Sequence, residues 1–172
     1  MFCYNKTMEK VVKVKSTKEM AKLGRQIGKR LSGGEVLLLA GSLGAGKTTL
    51  AKGILEGAGV KKGFSPTFIL DATFPIKGKK NLKEIHHLDL YRLKDKAELL
   101  TLGVYDTVGN QDAVVIIEWA DRFPEYFASL LKNGRINARI DKLKGNERSL
   151  YFSARGKQHE NLLKNIFIDF NR

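Results

Sequence analysis

A single cysteine, Cys3, stands in 172 residues, so no disulfide can form within the chain and a fold stapled by bridges is excluded. Long apolar runs are missing too. "VLLLA" and "AVVII" are the longest, far short of the roughly 20 residues that cross a bilayer. The start, "MFCYNKTMEK", lacks the apolar stretch of a secretory signal. A cytoplasmic protein that meets no membrane is expected. Repeats, low-complexity segments and linkers are also absent, and the length suffices for one domain with a proper core. Acidic residues are in deficit, 18 against 31 Lys and Arg, for a formal net charge of +13. Such an excess suits nucleic acid or acidic partner surfaces, and equally a plain solvated basic surface. No arginine-rich tract or aromatic-interleaved basic motif decides between them.

What remains is an alternation of strand and helix. "VVKVK" (11–15) suits a short strand, and "STKE" (16–19) is a capping box opening a helix. Met20, Leu23, Ile27 and Leu31 recur at helical spacing, and Ser32-Gly33-Gly34 ends that helix. "EVLLLA" is a buried strand. A second helix follows with Leu50, Ala51, Ile54, Leu55 and Ala58 on one face, closed by "GAGV". Strands are expected at 68–74 and 84–91 around the turn "IKGKKN", a short helix after "DKAE" (95–98), and a buried strand at "AVVII" (113–117). "RINARIDKL" and "RSLYFSAR" form an antiparallel pair around "KGNE", and residues 158–170 make a closing helix with Leu162, Leu163, Ile166, Phe167 and Phe170 inward. Residues 1–10 are expected to be a flexible leader, with Met8 an alternative start, and 11–172 a single nucleotide-binding domain.

Between the second strand and its helix lies "GSLGAGKTTL" (41–50), which fits the phosphate-binding P-loop. Glycine lets successive amides turn toward phosphate oxygens, and the helix beyond adds its positive end. Lys47 can reach the β- and γ-phosphates, and the Thr48 hydroxyl suits Mg²⁺. A chain of this length matches the pattern by chance about once in a hundred at average composition. The fold expected is α/β, a P-loop NTPase-like three-layer sandwich. Its mixed sheet has parallel core strands and antiparallel edge strands.

Two acidic positions fit that loop. In "HHLDLYR", strand alternation puts His87, Asp89 and Tyr91 on one face, with Asp89 near the strand end, where a carboxylate can hold a Mg²⁺ water. His87 is expected to be a hydrogen-bonded structural histidine. In "VVIIEW" a buried strand ends at Glu118, where P-loop proteins normally carry Asp, so Glu118 can bind Mg²⁺ or orient the attacking water. The plain alternative is an exposed acid after a core strand. Trp119 is either core packing or a sensor of nucleotide or partner. "SPT" (65–67) has the look of a switch, with Thr67 placed to reach the γ-phosphate and Pro66 holding Ser65 extended.

"GSLGAGKTTL", "SPTF", "HHLDLYRL" and "EWADRF", in this order, resemble the TsaE (YjeE) family, over residues 10 to 155. That resemblance implies an ATPase subunit of bacterial tRNA threonylcarbamoyladenosine (t6A37) synthesis. It implies that Gly44, Ala45, Gly46, Lys47, Thr48 and Thr49 hold the phosphates of ATP, and that Thr48 and Glu118 bind Mg²⁺ with Asp89 in support. Thr67 then belongs to a switch-like loop, and Thr17 and Arg148 lie near the nucleotide. The implied partner is the TsaB–TsaD heterodimer, with a TsaC-type enzyme supplying threonylcarbamoyl-AMP upstream and tRNA reached indirectly. ATP hydrolysis resets the complex between turnovers. Ser42 stands where the family usually carries Asp, Asn or Glu, and Phe64 where Val is commoner.

Other readings share the loop. A small P-loop kinase would need an arginine-bearing lid, and no such insertion stands out. A GTPase would need Asn-Lys-x-Asp, which does not occur, although "DTVG" (106–109) mimics one GTPase element. An ATP-binding regulatory module would bind without turnover. No arginine is marked by spacing as a finger on the γ-phosphate; Arg92 and Arg122 lie inside the motifs.

Overall fold

The computed structural model describes residues 7–60 and 71–170. The "SPT" loop with Phe64 and Thr67, most of the leader and the beginning of the strand expected at 68–74 lie outside the described residues.

Among the described residues the strands are β1 (Met8–Val14), β2 (Val36–Ala40), β3 (Asp71–Pro75), β4 (Glu84–Asp89), β5 (Ala113–Glu118), β6 (Arg135–Lys142) and β7 (Arg148–Arg155). They form one sheet in the order β1-β7-β6-β2-β5-β4-β3. β2 pairs parallel with β5 and β6, and β5 parallel with β4. β1–β7, β6–β7 and β3–β4 are antiparallel. A mixed sheet with a parallel core and antiparallel edges is therefore present, as expected.

One face buries α1 (Thr17–Arg30), α2 (Lys47–Ala58) and α6 (Lys157–Phe170) against residues from all of these strands. The other carries α3 (Lys96–Thr101), α4 (Val104–Val108) and α5 (Pro124–Leu130), over a cluster that draws its strand residues from β2, β4 and β5 alone. The sequence pattern does not announce α4 or α5. Five and seven residues are too few for a helical period to show.

The capping signals act locally. Ser16 Oγ accepts from Glu19 N at 3.2 Å. Glu19 Oε2 accepts from Lys15 N at 2.8 Å, one residue before the cap, rather than from the amide of Ser16. Asp95 caps α3 through Glu98 N at 3.0 Å. Where α1 crosses α2 the surfaces are glycines: a Cβ on Gly24 would lie 2.5 Å from the Leu50 carbonyl, and one on Gly28 would overlap that of Ile54. The helices therefore meet backbone to backbone, which seats the N-terminus of α2 against the sheet.

Three boundaries differ from expectation. β1 begins at Met8 and pairs it with Ala154, so residues 8–10, expected in the leader, belong to the sheet. β3 occupies Asp71–Pro75. β4 ends at Asp89, and Leu90–Arg92 form a 3₁₀ turn, so Tyr91 leaves the strand face it was expected to share with His87 and Asp89. The Asp89 carboxylate causes this by accepting from Tyr91 N at 3.0 Å, which turns the chain.

Candidate nucleotide site

β2 delivers the loop 41–46 at its C-terminal end, the side on which parallel α/β sheets bind ligands. Gly41 has φ 140°, and a Cβ there would sit 2.5 Å from the Ile140 carbonyl; Gly46, the N-cap of α2, has φ 109°. Both positions require glycine. Two clefts flank the loop. A cleft of about 210 Å³ is lined by Lys47, Thr48, Thr49, Glu118 and Trp119, together with Gly44 and Gly46. A smaller one, about 90 Å³, lies between the loop and Thr17, Thr49 and Arg148. A larger hollow of about 490 Å³ sits beside Val36 and His159, at the opposite end of β2, away from the P-loop.

Lys47 is only 4% exposed. Its ammonium donates to the carbonyls of Gly41 at 2.6 Å and Ser42 at 3.1 Å, and lies 3.4 Å from the centroid of the Trp119 ring. Burial pushes its pKa down, partly offset by the charges of Glu118, Asp121 and Asp89. Trp119 takes a left-handed backbone, φ 61°, unusual for a bulky residue, and its ring also meets Tyr91, centroids 4.9 Å apart. The tryptophan is thus part of the site wall.

Glu118 is 1% exposed and both its oxygens are engaged. Oε2 accepts from the Thr48 hydroxyl at 2.8 Å, and Oε1 pairs with His87 Nε2 at 2.9 Å. An exposed acid is thereby excluded for this position. His87, fully buried, does more than fill the core: it fixes the carboxylate that faces the P-loop threonine. β4 and β5 pair in register with Asp89 opposite Glu118. Burial raises the Asp89 pKa, and the neighbouring Glu118 charge raises it further, against the lowering effects of the Tyr91 amide, His87 and Lys47. Two crowded carboxylates and a hydroxyl form an oxygen-only donor set, the kind that suits Mg²⁺. Among the described residues no group of three or more His, Cys, Asp or Glu side chains could hold a metal alone.

Arg148 reaches the loop, Nε to Ala45 O at 3.1 Å and Nη2 to Gly44 O at 3.4 Å. Thr17 is the first residue of α1, on the far side of that smaller cleft. Lys142, which nothing in its sequence context marked, brings its ammonium to within 3.3 Å of where a Cβ on Gly44 would be. Arg122, at the end of a 3₁₀ turn over Ala120–Arg122, donates to the carbonyls of Leu90 and Tyr91, tying that turn to the one after β4. Thr67 lies outside the described residues.

The model of the family described as threonylcarbamoyl adenosine biosynthesis protein TsaE matches residues 14–150. The chain is 38% identical over 130 residues to the tRNA threonylcarbamoyladenosine biosynthesis protein TsaE of Streptomyces coelicolor, covering 73% of this chain and 81% of that one. It is 33% identical over 158 residues to the protein of the same description from Bacillus subtilis, covering 91% of each. The crystal structure of Bacillus subtilus YdiB superimposes with a TM-score of 0.71 at 25% identity, over 95% of this chain and 97% of that one. By motifs, fold and relatives alike, this chain belongs to the TsaE family of tRNA threonylcarbamoyladenosine biosynthesis.

Proposed function

We propose that this chain is a Mg²⁺-dependent ATPase that docks on a TsaB–TsaD heterodimer and, by hydrolysing ATP, resets it between rounds of t6A37 modification. The observation that carries the reading is the 2.8 Å bond from Thr48, on the helix after the P-loop, to Glu118 at the end of the neighbouring strand. Hydroxyl and carboxylate meet where a P-loop enzyme needs a metal site, beside a buried lysine.

The roles follow from the side chains. The glycine-rich loop and the N-terminus of α2 bind phosphate oxygens through amides and helix dipole. Lys47, held now by two carbonyls and the Trp119 face, exchanges those contacts for β- and γ-phosphate oxygens. Thr48 and Glu118, with Asp89 in support, hold the Mg²⁺, whose charge offsets that on the phosphates when bound. Glu118 also orients the attacking water, and His87 keeps its carboxylate from rotating. Thr17, Thr49, Trp119 and Arg148 bound the nucleotide, and Thr67 acts as the switch. A TsaC-type enzyme supplies the threonylcarbamoyl donor upstream, in the cytoplasm. Among the described residues no helix is long and apolar enough to cross a membrane.

Arg122 is committed to backbone carbonyls; in this reading a partner-supplied group, or partner ordering of the switch loop, completes the site. The test is phosphate release by the purified protein, alone and with saturating TsaB–TsaD. A slow rate alone, rising on addition of the pair, is expected; a finger from a partner is worth roughly 10³–10⁵ in rate. Full activity in isolation, unmoved by TsaB–TsaD, rejects the partner-completed mechanism.

A further inference from the structure

β1, β7 and β6 bury one face under the helices; on the other face, among the residues of these strands, only Ser149 is buried. Val12, Val14, Leu150, Phe152, Ala154, Ile136, Ala138 and Ile140 point into the core below α1 and α6, whereas the cluster on the opposite face of the sheet contains no residue of these strands. Side chains alternate along a strand, so the open face carries the intervening residues. Register arranges them in cross-strand rows. Val11, Tyr151 and Arg139 form one row; Glu9, Ser153 and Asn137 the next; Arg155 and Arg135 stand opposite each other in the third. Lys13, Ser149 and Asp141 lie on the other side of the first row.

Three features of this face suit one kind of ligand. The Arg139 guanidinium lies 4.5 Å from the Tyr151 ring centroid, with Val11, 59% exposed, on the tyrosine's other flank. A flat, stacked, cationic–aromatic surface is what unpaired bases stack upon. Second, like charges directly opposite each other destabilise a sheet. Arg135 and Arg155 occupy such a pair; the Arg135 guanidinium already donates to Leu131 O at 2.9 Å and Asn137 Oδ1 at 3.3 Å, and Arg155's charge, after burial, helps to push the Arg135 pKa down. An anion over that row removes the repulsion. Third, the rows at 135 and 139 lie four residues apart, about 13 Å at ~3.3 Å per residue. Sheet-type RNA modules seat two or three bases on platforms of this type. The acids present reduce the charge of this face without reversing it: Asp141 pairs with Arg139 at 3.2 Å and Glu9 lies in the row between the two basic ones, but Lys13, Arg135, Arg139 and Arg155 outnumber them.

The geometry points to the open β1–β7–β6 face as a binding surface for single-stranded RNA. A base stacks on the Tyr151–Arg139 pair, and phosphates lie over Arg155 and Lys13, with Arg135, held by Leu131 O and Asn137, adding its charge from behind. This gives the protein a direct RNA contact where the family resemblance alone implied an indirect one. It rests on the TsaE assignment only in taking an RNA to be at hand, and needs neither ATP nor hydrolysis.

The experiment is fluorescence anisotropy of a short labelled single-stranded RNA of mixed sequence, titrated with the full chain at physiological salt without nucleotide. The same RNA annealed to its complement is titrated alongside. Stacking is worth ~1–3 kcal/mol per base, so Tyr151→Ala should weaken binding about five- to a hundredfold, while Tyr151→Phe keeps it. Arg155→Gln should weaken binding and lower the salt slope by about 0.7. Lys22→Gln, an exposed α1 lysine across the molecule, should change affinity far less. Tyr151→Ala binding like the wild type, Lys22→Gln losing as much as Arg155→Gln, or duplex binding as tightly as single strand would each overturn the proposal. A surface that serves an acidic protein instead gives no RNA binding at all, which overturns it too. Melting temperature and ATP affinity of each variant separate these results from misfolding and from failure of the ATPase reading.

Discussion

Glu118 shows how one residue is fixed from three elements. Its Cα belongs to β5, one oxygen belongs to Thr48 on α2, and the other to His87 on β4. Glu118→Gln retains size and hydrogen bonding but removes the charge. ATP affinity should persist, and phosphate release should drop about a hundredfold or more, the scale of lost positioning and electrostatic stabilisation. Calorimetry and steady-state turnover measure the two; near-wild-type turnover in a folded variant assigns Glu118 a structural role. Lys47→Ala removes the buried ammonium that Gly41, Ser42 and Trp119 now hold. Hydrogen bonds to charged groups are worth ~1.5–3 kcal/mol, so nucleotide affinity should fall about ten- to a hundredfold. Unchanged affinity by calorimetry removes the P-loop assignment.

At the scale of elements, the α1–α2 crossing holds the loop in place. Gly24 on α1 faces Gly53 on α2, Gly57 on α2 meets the Arg25 backbone, and a Cβ on Gly28 would overlap the Ile54 carbonyl. Helix propensity favours alanine over glycine by ~1 kcal/mol, but overpacking against backbone costs ~1–3 kcal/mol or more, so the clash wins. Gly28→Ala should lower the urea midpoint, whereas Gly109→Ala should be neutral or slightly stabilising. Gly109 has an ordinary φ of −82°, and a Cβ added there would meet no atom within 4 Å. Equal effects in the two variants contradict backbone-to-backbone packing. The C-terminus of α1 is closed from afar: Lys79 donates to the carbonyls of Gly28, Lys29 and Leu31 at 3.0, 3.2 and 2.7 Å. A cation there also complements the helix dipole.

For the whole molecule, two histidines contribute to the pH dependence near neutrality with opposite sign. His159 on α6 accepts from Val36 N at 3.2 Å, at the start of β2. Burial depresses its pKa below 6.5, against the opposing charge of Glu35. The folded state therefore resists protonation that the unfolded chain accepts. Its contribution is fully present above pH ~6.5 and is lost as pH falls toward the folded value. His86 runs the other way: hydrogen bonding to Asp71 raises its pKa, so its contribution is present below pH ~6.5 and is lost as pH rises through the folded value. His159→Gln keeps an acceptor for Val36 but does not titrate. Between mildly alkaline and mildly acidic pH the wild type should lose more urea midpoint than this variant. Parallel pH profiles remove His159 from the account.

Residues a few positions apart were enough to specify the P-loop and its helix, the Ser16 and Asp95 caps, the buried strands around "VLLLA" and "AVVII", and the hairpin at "KGNE". Short-range backbone chemistry suffices to form each of them. Glu118 was legible because a buried strand ending in an acid is itself a local pattern. The tertiary structure decided what no spacing encodes. Parallel register brought Asp89 beside Glu118 and His87 onto its second oxygen. The turn after Asp89 removed Tyr91 from the strand and sent it to Trp119. Arg148, Lys142 and the P-loop, about a hundred residues apart, met because β6 ends and β7 begins beside it. The basic and aromatic residues of "RINARIDKL" and "RSLYFSAR" looked like scattered charge along the chain. They became a stacked Arg139–Tyr151 pair and an Arg135–Arg155 row only when antiparallel pairing set them side by side. Side-chain chemistry is local to the chain, but the distances between side chains are set by the register of distant strands.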